Sequence, residues 1–242
     1  MVKNSKPFSK KIGLVTEPIV ALKRTIKIKP NQKEKINLII AIGENKDIIK
    51  DEIKKYRIEE NIKKALELSK AKNEAQNRYL RIKGSQIRDY QKIMSYIVFY
   101  NPTKKEILEK LPKVKYNQSE LWKYGIPGDL PIILLKIKDS NDAHVVKEVL
   151  KAYEFFKTKN LEIELVILDE EKHSYENYVR EEVDNLVLNS QMAYLKNMRA
   201  GIFEISKNEI SKQDLDLLNF VATLVIDASK GGIKNALKEL EE

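Results

Sequence analysis

The stretch SELWKYGIPGDLPIILLKI, residues 119–137, holds the chain's only tryptophan, Trp122, and ends in an apolar run. That run, DLPIILLKI, is bounded by Pro131 and Asp139 and is short enough to be a strand buried on both faces. The amphipathic segment DAHVVKEVLKAYEFFKTKN follows, with helical spacing from near Ser140. Beyond it come LEIELVILDE as a strand, SYENYVREEVDNLVLNSQMAYLKN as a helix, GIFEIS as a strand, SKQDLDLLNFVA as a helix and TLVIDA as a strand. A last helix starts at Gly232. Apolar strands alternating with amphipathic helices predict βαβ crossovers and a small, mainly parallel, three-layer α/β unit over residues 119–242.

The rhythm differs upstream of this unit. In VALKRTIKIKPNQKEKINLIIAI, Thr25, Lys27 and Lys29 alternate with Ile26 and Ile28, PNQKEK can turn, and residues 36–42 form a second apolar run. This predicts a β-hairpin, and residues 1–44 read as the strand remnant of a larger sheet, since two strands alone are marginal in water. From about Asn45 the period becomes helical. Ile48, Ile49, Ile53 and Tyr56 fall at helix spacing, and Ile58, Ile62, Ala65, Leu66, Ser69 and Ala75 share one stripe. A further helix is expected from Ser85, stopped at Asn101-Pro102, and a short one over 103–111, so residues 45–118 form a helical linking segment. The aromatics Tyr79, Tyr90, Tyr96, Phe99 and Tyr100 are best read as core and not as a stacking platform.

Composition narrows the function. Hydrophobic residues at 42% and charged residues at 33% describe a globular chain. No apolar run approaches the roughly 18 residues that span a bilayer, and the lysine-rich start leads into no signal-type core, so a cytoplasmic location is expected. The absence of cysteine excludes disulfides, thiolate metal sites and cysteine nucleophiles. Residues 1–120 carry 29 Lys and Arg against 14 Asp and Glu, a net of +15, whereas residues 121–242 carry 16 against 22, a net of −6. The halves complement each other, and many lysines lie on alternating strand positions, so nucleic-acid binding is disfavoured despite the overall +9.

Ligands of open parallel sheets collect outside the strands' carboxyl ends. Asp139, Ser140, Asp169, Glu170, Ser206, Asp227 and Ser229 fall there, but caps and strand stops account for them, with Ser140, Ser174 and Ser211 placed to cap helices. DASKGGIKNA offers helix-start amides and Lys230 to an anion, yet neither GxxxxGK[ST] nor GxGxxG occurs. His144 and His173 lack metal-ligand spacing, so no metal site is expected. The candidate binding residues are Trp122, Tyr124 and Asp129, in a turn-rich segment where a sugar or an adjoining domain can stack. The competing reading, which we favour, has the Trp122 indole plugging the seam between the helical and α/β parts.

Three stretches, LWKYGIPGDLPIILLKI, KAYEFFKTKNLEIELVILDEEKHSY and LVIDASKGG, together with TEPIVALKRTIKIKPNQKEKINLIIAIGENKDIIKDEIKKY at the front, resemble in the same order the cyclic β-1,2-glucan synthases and cellobiose and chitobiose phosphorylases of glycoside hydrolase family 94. Pro127 departs from the serine of the family's GISGD. The resemblance implies the region between a β-sandwich and an (α/α)6 barrel. The family's catalytic aspartate and phosphate site lie in that barrel, and no stretch here matches them, so no catalytic residue is carried over and no cofactor is implied. Two functions follow as expectations. One is a non-catalytic segment of a glycosyltransferase or glycoside phosphorylase whose partners are the missing sandwich and barrel and a β-glucan. The other is a stand-alone α/β module that binds a sugar, nucleotide or nucleic acid.

Overall fold

The computed structural model describes residues 22–99, 117–171 and 178–241. The chain divides into two compact units, residues 1–65 and 66–242.

In the first unit, residues 22–42 contain no strand. The expected turn is present: Gln32 N donates to Lys29 O at 3.1 Å, and Asn31 takes a φ of 62°. The two arms form no ladder, which corrects the predicted hairpin. The physical reason is that Ile28, Ile36, Leu38, Ile40 and Ile42 are all exposed, so there is no apolar surface for a two-stranded ribbon to lean on. Helix α1 (Lys46–Tyr56) starts where predicted, because the Asn45 side chain accepts from Asp47 N at 3.1 Å and Ile48 N at 2.9 Å.

Helix α2 (Glu59–Tyr79) buries no residue fully, and of its expected apolar stripe only Ile62 and Ala65 are half-buried. Helix α3 (Gly84–Val98) is different, burying Tyr90, Ile93 and Ile97. The Tyr90 ring centroid lies 5.5 Å from that of Phe155 and 6.2 Å from that of Phe156, so this aromatic is core as expected. Tyr79 and Phe99 are exposed instead, and Tyr100 and the predicted 103–111 helix lie outside the described residues.

The α/β unit follows the predicted alternation. It runs α4 (Ser119–Trp122), β1 (Ile132–Ile137), α5 (Ala143–Thr158), β2 (Glu164–Asp169), α6 (Tyr178–Leu188), β3 (Ile202–Ser206), α7 (Lys212–Val221), β4 (Leu224–Asp227) and α8 (Gly232–Glu241). The sheet order is β3-β2-β1-β4 and every pair is parallel, with Ile132 opposite Glu164, Leu165 opposite Ile202 and Ile133 opposite Leu224. The chain steps outward through β2 and β3, then crosses back to set β4 on the other side of β1. Side chains alternate across the sheet, which builds two cores. Ile133, Leu135, Leu165, Ile167 and Leu224 pack with α3, α5, α6 and α8. On the opposite face, Leu134, Val166, Leu168, Phe203 and Ile205 pack with Leu217 and Leu218 of α7 and with Leu121 and Ile126. The protein therefore has an α/β fold, and the segment 119–129 covers part of its second face.

Candidate functional site

The carboxyl ends of the strands carry the predicted polar groups, and each is engaged locally. Asp139 accepts from Asn141 N at 2.7 Å, and Asp142 accepts from Lys138 N at 2.7 Å, so aspartates cap this turn and Ser140 does not. Asp169 accepts from Glu171 N at 2.9 Å, Glu170 pairs with Lys207 at 3.1 Å, and Ser206 Oγ accepts from Asn208 N at 3.3 Å. Between β1 and β4, where the strand order reverses, Lys138 Nζ lies 3.3 Å from Asp227 Oδ2 and 2.9 Å from Ser229 Oγ. Burial pushes the Asp227 carboxyl up, but hydrogen bonds from Ser229 and Lys138 outweigh it and the net shift is downward. Among the described residues no cluster of three or more His, Asp or Glu is arranged to hold a metal. His144 is an exposed residue of α5 whose ring nitrogen lies 2.6 Å from Asn141 O, and His173 and Ser174 fall outside the described residues.

The anion reading of DASKGGIKNA meets a specific obstacle. Glu148 Oε2, from α5, accepts from Ile233 N at 3.1 Å, so an internal carboxylate already occupies the amino end of α8. A Cβ at Gly232 would overlap that oxygen, so glycine there lets the Glu148 side chain reach the helix start.

The turn at 119–129 is built from closely spaced local bonds. Gly125 N donates to Trp122 O at 2.9 Å and Ile126 N to Leu121 O at 3.2 Å, with Gly125 at a φ of 74°. These bonds drive Leu121 and Ile126 into the core and turn Trp122 outward. Trp122 is 62% exposed, so it does not plug a seam, which corrects the favoured expectation. Its ring orientation is nevertheless fixed, since Nε1 donates to Pro127 O at 3.1 Å, an oxygen that also accepts from Gln118 Nε2 at 2.7 Å.

Tyr124 and Asp129 go elsewhere. The Tyr124 hydroxyl donates to Asp214 Oδ2 at 2.7 Å and accepts from Ser211 N at 3.2 Å, at the amino end of α7. Asp129 Oδ2 is clasped by Arg199, with Nη2 at 3.0 Å and Nε at 3.1 Å, and Arg199 Nη1 also reaches Glu162 at 3.1 Å. The three candidate residues therefore make three separate anchors and do not converge on one cavity.

Two buried carboxyl groups escaped the sequence reading. Asp214 accepts from Ser211 Oγ at 2.5 Å and pairs with Lys123 Nζ at 2.8 Å. Burial pushes its carboxyl up, but the bonds from Lys123, Ser211 and Tyr124 together bring it below the usual aspartate value. Ser211-x-x-Asp214 at a helix start is a capping-box pattern, the signal that could have flagged it. Glu164 is wholly buried, with Oε2 accepting from Gly128 N at 3.0 Å and Oε1 left without a hydrogen-bond partner. Burial, reinforced by neighbouring Asp129, pushes it up to about 7. A glutamate inside the apolar run ELVILD was its visible sign.

With that geometry in view, comparison with known proteins adds two findings. The family described as "Glycosyl hydrolase 94, supersandwich domain" matches residues 1–59. Over 226 residues the chain is 23% identical to the cyclic beta-(1,2)-glucan synthase NdvB of Rhizobium meliloti (strain 1021). The chain is related to the glycosyl hydrolase 94 proteins. That match covers 93% of this chain but 8% of the relative, so the chain spans a small part of the length of the curated protein it matches. The resemblance seen in the sequence thus holds across both units. No helix among the described residues is long and apolar enough to cross a membrane.

Proposed function

We propose that this chain is a non-catalytic, cytoplasmic segment of a larger carbohydrate-active enzyme, placed between a β-sandwich and an (α/α)6 barrel and acting by packing against them. The observation that carries this reading is the segment 22–42, which keeps a strand-type alternation with Ile36, Leu38, Ile40 and Ile42 exposed and lies inside the supersandwich match. An exposed apolar segment with a strand-type alternation is half of an interface. In the whole enzyme the reaction is transfer of a glucosyl group from a β-glucan, or inverting phosphorolysis. In the latter, phosphate oxygen bonds to the anomeric carbon, the glycosidic C–O bond breaks, and a carboxylic acid outside this chain protonates the leaving oxygen.

Incubating the purified chain with β-1,2-glucan and phosphate tests this, with glucose 1-phosphate as the readout. No release is expected, and robust phosphate-dependent release would overturn the non-catalytic reading. The DNA flanking the reading frame supplies the second arm: continuation into sandwich and barrel sequences is expected, whereas unrelated genes on both sides would reject the segment reading.

A second reading is favoured by the exposed, orientation-locked indole of Trp122. In it, the α/β unit is a binding module for a sugar, nucleotide or nucleic acid, Trp122 stacks on the ligand, and Tyr124 and Asp129 hold the turn in place. Saturable quenching of Trp122 emission by β-1,2-gluco-oligosaccharides supports the sugar version, and a flat titration removes it.

A further inference from the structure

The turn that displays Trp122 rests on a pair of carboxyl groups at the amino edge of the sheet. Glu164 is the first residue of β2 and has none of its surface exposed. Through Oε2 it accepts the amide of Gly128, a residue held at a φ of 68° in the turn. Its other oxygen, Oε1, is buried and has no hydrogen-bond partner. An unpartnered buried carboxylate oxygen is costly, whereas a carboxylic acid has a proton to donate. The neighbouring acceptor is Asp129, next to Gly128, whose carboxyl works against ionisation of Glu164.

The surrounding charges fix what that proton does. Arg199 clasps Asp129 and reaches Glu162, so within the pair it is Asp129 that meets the guanidinium. From α5, Tyr153 faces the same corner with its hydroxyl donated to Ala200 O, and Lys157 donates to that same carbonyl. Burial pushes the Tyr153 phenol well above its ordinary value, so it does not titrate near neutrality. Lys157, lowered by burial but supported by Glu162, acts as a neighbouring cation.

We propose that Glu164 is a proton-operated latch on the turn 125–129. As the acid, it accepts from Gly128 and donates to Asp129, binding the turn to the first residue of β2 at two points. As the carboxylate, it keeps the Gly128 contact but repels Asp129, which loosens the Asp129–Arg199 clasp and the Pro127 carbonyl that pins Trp122. The consequence is that the exposed indole is rigidly presented below neutral pH and mobile above it. Neither the geometry nor its test uses a glucan, so the latch and the glucan reading fail separately.

The chain's single tryptophan makes the test direct. Steady-state anisotropy and emission of Trp122 are followed from pH 5 to 9 in the full chain, beside Glu164→Gln. The amide keeps an acceptor for Gly128 and an N–H donor for Asp129, so it copies the latched state at every pH. A sigmoidal fall in anisotropy centred near neutrality is expected in the parent chain and a flat profile in Glu164→Gln. Hydrogen exchange at the Gly128 amide supplies the second readout. Between pH 6 and 8 it should accelerate no more than intrinsic exchange, in the parent and the variant alike, because the Glu164 carboxylate keeps accepting from Gly128 N, and a parent-specific acceleration would overturn the retained contact. Asp129→Asn, which removes the repulsion that holds the Glu164 pKa up, should shift the anisotropy midpoint downward or abolish it. A flat parent profile, or a transition that persists unchanged in Glu164→Gln with native circular dichroism, would overturn the latch.

Discussion

Replacing Asp214 by alanine tests how the segment 119–129 is held on the second face of the sheet. One carboxylate oxygen gathers Tyr124 Oη at 2.7 Å, Lys123 Nζ at 2.8 Å and Ser211 Oγ at 2.5 Å. Asp214 is 96% buried, its residue exposure being 4%. Truncation leaves the Tyr124 hydroxyl and the Ser211 cap without their acceptor. Hydrogen bonds to a charged group contribute about 1.5–3 kcal/mol each, but donors sharing one oxygen are not additive, so a total loss of about 3 kcal/mol is expected. Tyr124→Phe removes one donor to Asp214 and the acceptor of Ser211 N, and should cost about 1.5 kcal/mol. In the double variant the Tyr124 contribution should largely vanish, giving a coupling energy of about 1 kcal/mol. Urea unfolding monitored by Trp122 emission and by far-UV circular dichroism reads all three variants. The sign of the pH dependence follows from the lowered native value: the contribution is present above the unfolded aspartate pKa and is lost as pH falls through the native one. A single-variant cost below about 0.5 kcal/mol, or no coupling between the two positions, would refute the anchoring of this segment through Asp214.

Glu164 acts in the opposite direction on stability. Its native pKa is raised from 4.5 to about 7, so its contribution is present below the unfolded value and falls as pH rises through that window, by about 3 kcal/mol in all. Glu164→Gln should therefore flatten the pH 4.5–7.5 part of the stability curve and gain on the parent at pH 8. Unfolding midpoints across that range check this, and parallel curves would reject it. At the other end of the sheet, Gly232→Ala should cost about 1–2 kcal/mol by displacing Glu148 from the amino end of α8. The same change in a Glu148→Ala background should cost less, because the colliding oxygen is gone. Thermal unfolding of the three variants reads the difference, and equal costs in both backgrounds would exclude the contact.

The order of strands and helices after residue 119 was legible because each element carries its own local signal. The runs PIILLKI, LEIELVILD and LVID are too short and too apolar to be anything but buried strands, and the intervening segments keep a helical stripe. Apolar strands linked by helices leave parallel pairing as the economical arrangement, and all three pairings are parallel. Asn45 and Ser211 also announced their helices, since a cap bonds to amides two or three residues away. The family relationship was equally present in the residue order, and the comparisons support it.

What the sequence could not fix are outcomes that depend on partners far along the chain. Tyr124 meets Asp214 across 90 residues, Glu148 meets Ile233 across 85, and Gly128 meets Glu164 across 36. No periodicity encodes such pairings, because they arise when the crossovers bring distant ends of elements together. Trp122 reads as a buried plug by residue type, yet the local bonds of its turn spend Leu121 and Ile126 on the core and leave the indole outside. The strand pattern of residues 22–42 is intact in the sequence, but a ladder needs a neighbouring sheet as well as a pattern, and the tertiary structure shows none among the described residues. Local patterning thus determined which elements form, and tertiary packing decided which of their polar groups are consumed as anchors and which remain on display.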